Sequence, residues 1–273
     1  MPEGAADSAA GDDARPGTFA AALALRGRHA VVTGSARGIG ARTASELAGL
    51  GATVTLLDLN RAGVERTAET IRSEGHDARG FECDVSDEAS VETAFALAAS
   101  EAGSPDILVN NAGVSSFVPF FETTEADWDT LVGVNLTGTF LCSRAVVATM
   151  REHGWGRIVN ISSVAGKRGG GFLGRTPYSA AKAGVIGFTK ALAREVAADG
   201  VTVNAIAPGP MDTDMTQILR DDPVLLERIV SAVPLGRRGL PYEIADAVCF
   251  LCTGLGDYLT GETINVDGGV SME

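Results

Sequence analysis

The feature that most limits the possible folds is a regular alternation of two kinds of segment from Gly27 onward. Short apolar, β-branched runs occur at Ala30–Thr33, Thr53–Leu57, Arg79–Cys83, Ile107–Val109, Arg157–Ile161, Thr202–Ile206 and Thr263–Val266. Stretches with helical spacing lie between them, at Ile39–Leu50, Ala62–Ser73, Glu88–Ala102, Glu125–Met150, Ser179–Ala198 and Tyr242–Cys252. Such alternation is typical of a parallel sheet with helices on both faces, whose strands are apolar throughout. The sequence therefore predicts an α/β fold: a single-domain, Rossmann-like, doubly wound parallel sheet of about seven strands.

The first 25 residues differ in composition from the rest of the chain. They are rich in Ala, Gly, Asp and Ser and show no apolar period, which predicts a disordered N-terminal tail at 1–25 and a domain at 26–273. The segment lacks the basic start and apolar block of a secretory signal, and its acidic residues are unlike a transit peptide. No run of 18 apolar residues is present, so we expect no transmembrane helix and a cytoplasmic location.

Charge and cysteine usage exclude several kinds of partner. With 22 Lys and Arg against 35 Asp and Glu, the net charge of −13 disfavours binding to nucleic acid or to an anionic membrane. Cys249 and Cys252 form one C-x-x-C pair inside an apolar run, and a second pair, which a zinc ribbon needs, is absent. We interpret them as buried helix residues. The histidines show no ligand spacing, and no metal site is predicted.

A glycine-rich turn follows the first predicted strand and opens the first long helix. It reads Thr33-Gly34-Ser35-Ala36-Arg37-Gly38-Ile39-Gly40, with the spacing G-x-x-x-G-x-G. A strand, a glycine-rich turn and a helix N-terminus together form the arrangement that binds a dinucleotide pyrophosphate. A glycine-rich loop alone could be a plain turn, and its place in a βαβ unit is what favours the cofactor.

Asp58 lies at the tip of the second strand, 18 residues beyond Gly40. A carboxylate there accepts hydrogen bonds from ribose hydroxyls and repels a 2′-phosphate, so it favours NAD over NADP. Arg37 and Arg61 could instead face a phosphate, and Asp58 could be a solvated acid or a helix cap. Asp84 and Val85 are expected near the adenine. Asn111-Ala112-Gly113 is expected to let the backbone run beside the cofactor.

Polar side chains that could move a proton follow in the second half of the chain. Tyr178 and Lys182 share one face at the start of a helix, and a nearby ammonium would lower the pKa of the phenol. Ser163 ends the preceding strand and could hold a substrate oxygen beside Tyr178. Asn135 is unusual within a long helix. Taken singly, these residues could be a half-buried tyrosine, a surface lysine, a turn serine and a kink or satisfied amide.

These motifs together resemble the short-chain dehydrogenase/reductase family. The residues that carry the resemblance are TGSARGIG, NNAG, Asn135, Ser163, YSAAK and Pro208-Gly209 with Thr213, and the match covers Gly27 to Gly269. Within the family the chain looks most like the 3-oxoacyl-carrier-protein reductases and their alcohol-dehydrogenase relatives. The family is commonly tetrameric, pairing Glu125–Met150, Ser179–Ala198 and the C-terminal strand region, so a homo-oligomer is expected.

The resemblance implies a role for each matching residue. Tyr178 would be the general acid/base, Ser163 would orient the carbonyl or hydroxyl, Lys182 would lower the tyrosine pKa and bind the nicotinamide ribose, and Asn135 would hold a relay water. With the glycine turn and strand tips, the expected cofactor-binding set is Gly34, Ser35, Arg37, Gly38, Ile39, Gly40, Asp58, Asp84, Val85, Asn111, Ala112, Gly113, Tyr178, Lys182, Pro208, Gly209 and Thr213.

Two departures from the family pattern bear on the substrate. Ser163 and Tyr178 are 15 residues apart where the family usually has 13. The longer loop carries Lys167, Arg168 and Arg175, which could contact an anionic substrate or be solvated. Also, the carrier-protein reductases generally use NADPH, which disagrees with Asp58.

The sequence therefore predicts an NAD(H)-dependent oxidoreductase acting on a secondary alcohol or ketone. An NADPH-dependent 3-oxoacyl thioester reductase is the first alternative. A non-catalytic dinucleotide sensor is the alternative of another class. We expect substrate shape to be recognised by Ser115–Phe121, Lys167–Arg175 and a lid between Met211 and Arg238, with Phe117, Phe120, Phe121 and Phe172 giving a partly apolar pocket.

Overall fold

A seven-stranded parallel sheet forms the centre of the molecule. The computed structural model describes residues 18–170, 174–216 and 222–272. Within them the sheet order is β3-β2-β1-β4-β5-β6-β7, and every neighbouring pair is parallel. The strands are β1 (His29–Thr33), β2 (Thr53–Asp58), β3 (Ala78–Glu82), β4 (Ile107–Asn110), β5 (Gly156–Ile161), β6 (Val201–Pro208) and β7 (Thr263–Val266). This confirms the predicted fold, with strand ends shifted by one or two residues.

Ten α-helices connect the strands over the described residues. They are α1 (Phe19–Leu23), α2 (Gly38–Gly49), α3 (Arg61–Ser73), α4 (Glu88–Ala102), α5 (Glu125–Val132), α6 (Gly138–Glu152), α7 (Val164–Arg168), α8 (Thr176–Val196), α9 (Pro223–Ser231) and α10 (Pro241–Cys252). Side-chain caps fix several starts, such as Asn60 on α3 and Asp87 on α4. Helices α1, α7 and α9 were not predicted because nine residues or fewer give too short a periodic signal.

Alternate residues of the central strands pack into different helical layers. In β1, Ala30 and Val32 pack with residues of α2, α3 and α10, whereas Val31 packs with residues of α4, α6 and α8. All three side chains are fully buried. Both faces of the sheet are thus covered, which explains why the strands are apolar at successive positions.

The order of the strands places a crevice at the carboxyl ends of the two central strands, β1 and β4. The chain goes from β1 outward to β2 and β3, then returns to the other side of β1 to form β4. Loops that leave the carboxyl ends of β1 and β4 therefore diverge, and open α/β sheets bind ligands at such a point.

The predicted helix Glu125–Met150 is interrupted. It consists of α5, a π-helical turn at Gly133–Thr137 that contains Asn135, and α6. π-Helical turns occur mostly inside α-helices and are frequent at functional sites. The whole stretch, Glu125–Glu152, is long and apolar enough by length and composition to cross a membrane, but in this fold it packs beside α4, α8 and β4.

The N-terminal prediction falls partly outside the described residues. Residues 1–17 of the predicted tail lie there, whereas Phe19–Leu23 forms α1 and Leu25 is buried in the core. At the other end of the chain, Cys249 and Cys252 are both buried on α10, and burial raises the pKa of the Cys249 thiol to about 12. Their interpretation as packing residues is confirmed. In the described part of the chain, His, Cys, Asp and Glu form no group able to hold a metal ion.

Candidate active site

The glycine turn after β1 is packed against the segment that follows β4. Gly34 has a φ of +64°, and a Cβ there would lie 2.6 Å from Ala112 Cα. Gly40 sits in the first turn of α2, where a Cβ would lie 2.3 Å from the Gly34 carbonyl oxygen. Asn111 ties the two segments together, since its Nδ2 donates to the carbonyls of Thr33 and Gly34. Only glycine fits at positions 34 and 40 without moving the neighbouring backbone.

A groove of about 530 Å³ runs beside this turn across the ends of β1, β2 and β3. Its walls include Arg37 from the glycine turn, Asp58 from β2, and Asp84 and Val85 after β3. A second cavity of about 130 Å³ adjoins it and contains Ser163, Tyr178 and Lys182. Ile39, Asn111, Gly113, Thr213 and Met215 line both. Because the groove and the cavity share these lining residues, they form one continuous cleft that could hold an elongated ligand.

Asp58 is occupied by backbone hydrogen bonds. Its Oδ2 accepts from the Ala36 N–H at 3.1 Å and its Oδ1 from the Asn60 N–H at 2.9 Å. Both oxygens of this carboxylate therefore fix the loop after β2 against the glycine turn, whereas the helix cap considered as an alternative role for Asp58 is supplied by Asn60. Arg37 supplies positive charge to the same groove.

Tyr178, Ser163 and Lys182 come together at the catalytic end of the cleft. Ser163 caps α7, with its Oγ accepting from the Ala165 N–H at 3.1 Å, and it is hydrogen-bonded to the phenol of Tyr178. Lys182 Nζ lies 5.8 Å from the centre of the Tyr178 ring and donates to the Ile161 carbonyl at 2.8 Å. One hydroxyl and one ammonium thus flank the tyrosine.

The pKa of Tyr178 differs from the expectation. Burial raises the pKa of its phenol, and the hydrogen bond with Ser163 opposes that rise. Burial also lowers the pKa of Lys182 to about 8. The structure does not show the predicted lowering of the Tyr178 pKa by Lys182, because burial of the phenol outweighs a cation whose Nζ donates to the Ile161 carbonyl. The resting tyrosine is therefore a neutral phenol.

The π-helical turn places Asn135 in the wall of the cavity that holds Tyr178 and Lys182. Its Nδ2 donates to the carbonyls of Val114 and Leu131, at 2.8 and 2.9 Å, while the buried Oδ1 has no hydrogen-bond partner. A Cβ on Gly113 would lie 2.8 Å from this Oδ1 and 3.4 Å from Lys182 Nζ. An unpartnered acceptor is therefore held beside the lysine, where a small polar molecule would satisfy it.

Most of the predicted site residues line the cleft. Those that do are Gly34, Arg37, Gly38, Ile39, Asp58, Asp84, Val85, Asn111, Ala112, Gly113, Asn135, Ser163, Tyr178, Lys182, Pro208, Gly209 and Thr213. Ser35 does not line it: the side chain is fully buried, and its Oγ donates to the Val32 carbonyl at 2.9 Å. Gly40 also lies behind the wall, where it permits the close packing described above.

Several lining residues were missed by sequence reasoning. Ser162 and Ile161 lie at the end of β5, whereas Asp214 and Met215, which also line the cleft, fall within the segment between Met211 and Arg238 that was expected to be a lid. Ser162 donates from its Oγ to the Lys182 carbonyl, while Ile161 contributes a backbone carbonyl. Backbone groups leave no signal in residue types. The sequence shows Ser162 next to Ser163, but it does not indicate which partner each of the two hydroxyl groups contacts.

The predicted substrate segments are only partly at the cleft. Ser115 and Phe117 line it, whereas Phe120 and Phe121 are largely exposed outside it, and Phe172 lies outside the described residues. Lys167 Nζ donates to Asn265 at 3.0 Å, and Arg168 to the Val270 carbonyl at 3.0 Å. These two cations therefore contact the C-terminal segment, and a contact with an anionic substrate stays a prediction.

The residues present fit a nicotinamide dinucleotide. A side chain at position 34 would fill the space beside the backbone of the glycine turn. The N-terminus of α2 opens toward the cleft at Gly38. At the end of the cleft near Lys182, the Asn135 Oδ1 has no hydrogen-bond partner. Such a turn and helix N-terminus suit a pyrophosphate. The cleft could therefore hold the phosphates near Gly34 and the reactive ring near Tyr178.

Comparison with known proteins gives one consistent family. A family model described as enoyl-(acyl carrier protein) reductase matches residues 34–271. The 3-oxoacyl-[acyl-carrier-protein] reductase of Aquifex aeolicus is 43% identical over 249 residues, covering 91% of this chain and 99% of its own. The acetoacetyl-CoA reductase of Cupriavidus necator is 43% identical over 246 residues, covering 90% and 98%. The solved structure of gox2181 is similar with a TM-score of 0.89 and 36% identity, covering 91% and 97%.

These relatives correct the expected cofactor. Reductases of the 3-oxoacyl-carrier-protein type use NADPH, so the prediction of NAD as the main cofactor was wrong. In the structure the Asp58 carboxylate accepts the Ala36 and Asn60 N–H groups and so holds the loop after β2 against the glycine turn. Arg37 lines the same groove and offers a positive charge to a phosphate there.

Proposed function

We propose that this chain, which belongs to the short-chain dehydrogenase/reductase family, reduces the ketone of a 3-oxoacyl thioester with NADPH. Membership makes it an oxidoreductase of ketone and alcohol groups. The observation that carries the narrower proposal is the 43% identity with a 3-oxoacyl-carrier-protein reductase over 91% of the chain. The earlier alternative is therefore better supported than oxidation of a simple secondary alcohol.

The geometry around Tyr178 supports reduction. Reducing a ketone requires a proton donor at the oxygen, and the neutral phenol of Tyr178 lies in the same cavity as Ser163 and can act as that donor. Ser163, already hydrogen-bonded to this phenol, would hold the carbonyl oxygen beside it. The hydroxyl of Tyr178 would then give its proton to that oxygen as negative charge develops there.

Lys182 and Asn135 would assist this proton transfer from Tyr178. The ammonium of Lys182 would stabilise the phenolate that forms, and burial makes such an interaction stronger than it would be in water. The free Oδ1 of Asn135 would accept a hydrogen bond from a water that returns a proton toward Lys182. Both residues are positioned by backbone carbonyls, at Ile161, Val114 and Leu131.

The cofactor would occupy the cleft from the glycine turn to Tyr178. Gly34, Gly38 and Ile39 would meet its phosphates, Arg37 its 2′-phosphate, and Asp84 and Val85 its adenine. Asn111, Ala112, Gly113, Pro208, Gly209 and Thr213 would line the rest of the path. When bound, the reduced nicotinamide supplies the hydride that the ketone carbon accepts.

A non-catalytic dinucleotide sensor is the rival class of function. A sensor has no need of a proton donor, a hydroxyl and a buried ammonium within one cavity, yet Tyr178 and Lys182 on α8 are brought together with Ser163 at the start of α7. We therefore favour catalysis.

We also propose a homotetramer in the cytoplasm. Trp128 on α5 and Phe140 on α6 are 42% and 43% exposed, so these helices present apolar surface that a second copy would cover. We expect sedimentation equilibrium to give four chains per particle, and a monomer would contradict this part of the proposal. We expect neither nucleic acid nor membrane as a partner, given the net charge of −13.

The proposed activity is tested by following NADPH absorbance with acetoacetyl-CoA, and with a 3-oxoacyl thioester on a carrier protein. Tyr178→Phe removes only the hydroxyl, so we expect turnover to fall by about 100-fold or more while NADPH still binds. Tyr258→Phe is the matched control, because Tyr258 is fully exposed and does not line the cleft. Unchanged turnover in Tyr178→Phe, or failure of the wild-type chain to reduce either thioester, would overturn the proposal.

A further inference from the structure

Arg37 and Asp214 form an ion pair across the mouth of the cleft. Arg37 belongs to the glycine turn after β1, and Asp214 to the segment that leaves β6. The Arg37 Nε lies 3.7 Å from the Asp214 Oδ2, and the two side chains are 73% and 46% exposed. Both residues line the groove of about 530 Å³. The pair thus connects two walls of the cleft that share no strand or helix.

Asp214 differs from the other carboxylates of this groove. Asp58 accepts two backbone N–H groups, and Asp84 accepts the N–H and the Oγ–H of Ser86. Among the residues that the structure describes here, the Asp214 carboxylate has Arg37 as its ionic partner and no backbone donor. Its contact can therefore be exchanged without breaking the local fold.

Asp214 also lies between two residues that connect both ends of the cleft. Thr213 and Met215 line the groove beside Arg37 as well as the cavity that holds Tyr178. A change in the contact of Asp214 would therefore also move its neighbours Thr213 and Met215 on the wall of the catalytic cavity.

We propose that Asp214 is a specificity-determining residue that occupies Arg37 until a 2′-phosphate displaces it. This inference rests on the proposed use of NADPH, and it assigns to Asp214 a role that the proposed function does not require. A phosphate dianion competes for the guanidinium more strongly than a carboxylate does, because it carries more charge and matches the planar fork of arginine. NADH presents a hydroxyl at that place and leaves the Arg37–Asp214 pair intact.

The expected effect is modest and selective. Exposed ion pairs contribute little, so removing the competing carboxylate should tighten NADPH binding by about threefold. Asp214→Asn keeps the size of the side chain and removes its charge. The dissociation constant for NADH should stay unchanged, because the pair is not broken when NADH binds.

The test is equilibrium binding of NADPH and of NADH, measured by nucleotide fluorescence, to the wild-type chain, Asp214→Asn, Arg37→Ala and the double variant. Glu69→Gln is the control for net charge, since Glu69 is exposed on α3 and does not line the groove. We expect Asp214→Asn to tighten NADPH alone, and this gain to vanish in the Arg37→Ala background.

Equal tightening of both nucleotides, a gain that persists without Arg37, or the same gain in Glu69→Gln would each overturn the inference. So would unchanged NADPH binding in Asp214→Asn beside a wild-type chain that binds NADPH and reduces the thioester, and in that case the proposed function stands. A wild-type chain that does not bind NADPH overturns the proposed function itself.

Discussion

Three glycines near the cofactor cradle allow backbone strain to be separated from close packing. Gly34 and Gly38 have nearly the same φ, +64° and +60°, but a Cβ on Gly34 would lie 2.6 Å from Ala112 Cα, while a Cβ on Gly38 would have no neighbour within 4 Å. Gly40 lies in α2 with an ordinary helical conformation, and a Cβ there would lie 2.3 Å from the Gly34 carbonyl oxygen.

Replacing each glycine by alanine should therefore give three different losses of stability. For Gly38→Ala, the left-handed conformation costs about 1–2 kcal/mol, partly offset by lower entropy of the unfolded chain. Gly34→Ala adds an overpacking cost of about 1–3 kcal/mol, so we expect about 2–4 kcal/mol in total. In Gly40→Ala, a gain of about 1 kcal/mol in helix propensity opposes the overpacking, which leaves a smaller net loss than in Gly34→Ala.

Equilibrium urea unfolding without nucleotide measures these free energies of unfolding directly. NADPH binding supplies a second readout, because Gly34→Ala and Gly40→Ala displace the backbone that would meet the phosphates, whereas Gly38→Ala leaves the contact between the two segments intact. If Gly38→Ala destabilised the chain as much as Gly34→Ala, the contact with Ala112 would not be the reason for glycine at position 34.

Three further predictions concern titration and the proton path. Because burial lowers the pKa of Lys182 to about 8, kcat/KM for ketone reduction should fall as pH rises through about 8, and the pH–rate profile of Lys182→Arg should lack that fall. His29 is buried between Thr55 and the Gly103 carbonyl with a pKa below 6.5, so the unfolded chain takes up a proton that the folded chain refuses. The contribution of His29 to the free energy of unfolding therefore keeps its full value above pH 6.5 and decreases as the pH falls from 6.5 through the lowered pKa of His29. Urea unfolding should show a smaller decrease at acidic pH in His29→Gln than in the wild-type chain. Asn135→Ala removes the unpartnered Oδ1 near Lys182, and kcat should drop at least tenfold while the NADPH dissociation constant changes little; equal changes in both would contradict a role in proton transfer.

The fold could be predicted because its strands and long helices have strong local signals. The run Thr53–Leu57 is apolar or β-branched at every position, and both faces of β2 are buried in the structure. The short helices α7 and α9 have no such signal. The Asn135 side chain in the π-helical turn donates to the carbonyls of Val114 and Leu131, and the first of these belongs to a distant loop, so the sequence showed only that Asn is unusual within a helix.

The catalytic residues could be named from the sequence, but their electrostatics could not. Spacing placed Tyr178 and Lys182 on one face, yet the direction of the Tyr178 pKa depends on burial by the surrounding chain. Asp58 was correctly placed at the tip of β2, but its two backbone donors, Ala36 and Asn60, appear only in the folded loop. The sequence shows the charge of Asp58 but neither these backbone contacts nor the position of Arg37 in the same groove, and the cofactor preference inferred from that charge was wrong.

The most direct measurement is kcat/KM of the wild-type chain for a 3-oxoacyl thioester, with NADPH and NADH compared in the same preparation. We expect reduction to be at least about tenfold more efficient with NADPH, because its 2′-phosphate gains a charged partner in Arg37. Equal or better reduction with NADH would show that Asp58 governs the cofactor after all. Rapid oxidation of simple secondary alcohols without thioester reduction would contradict the proposed substrate.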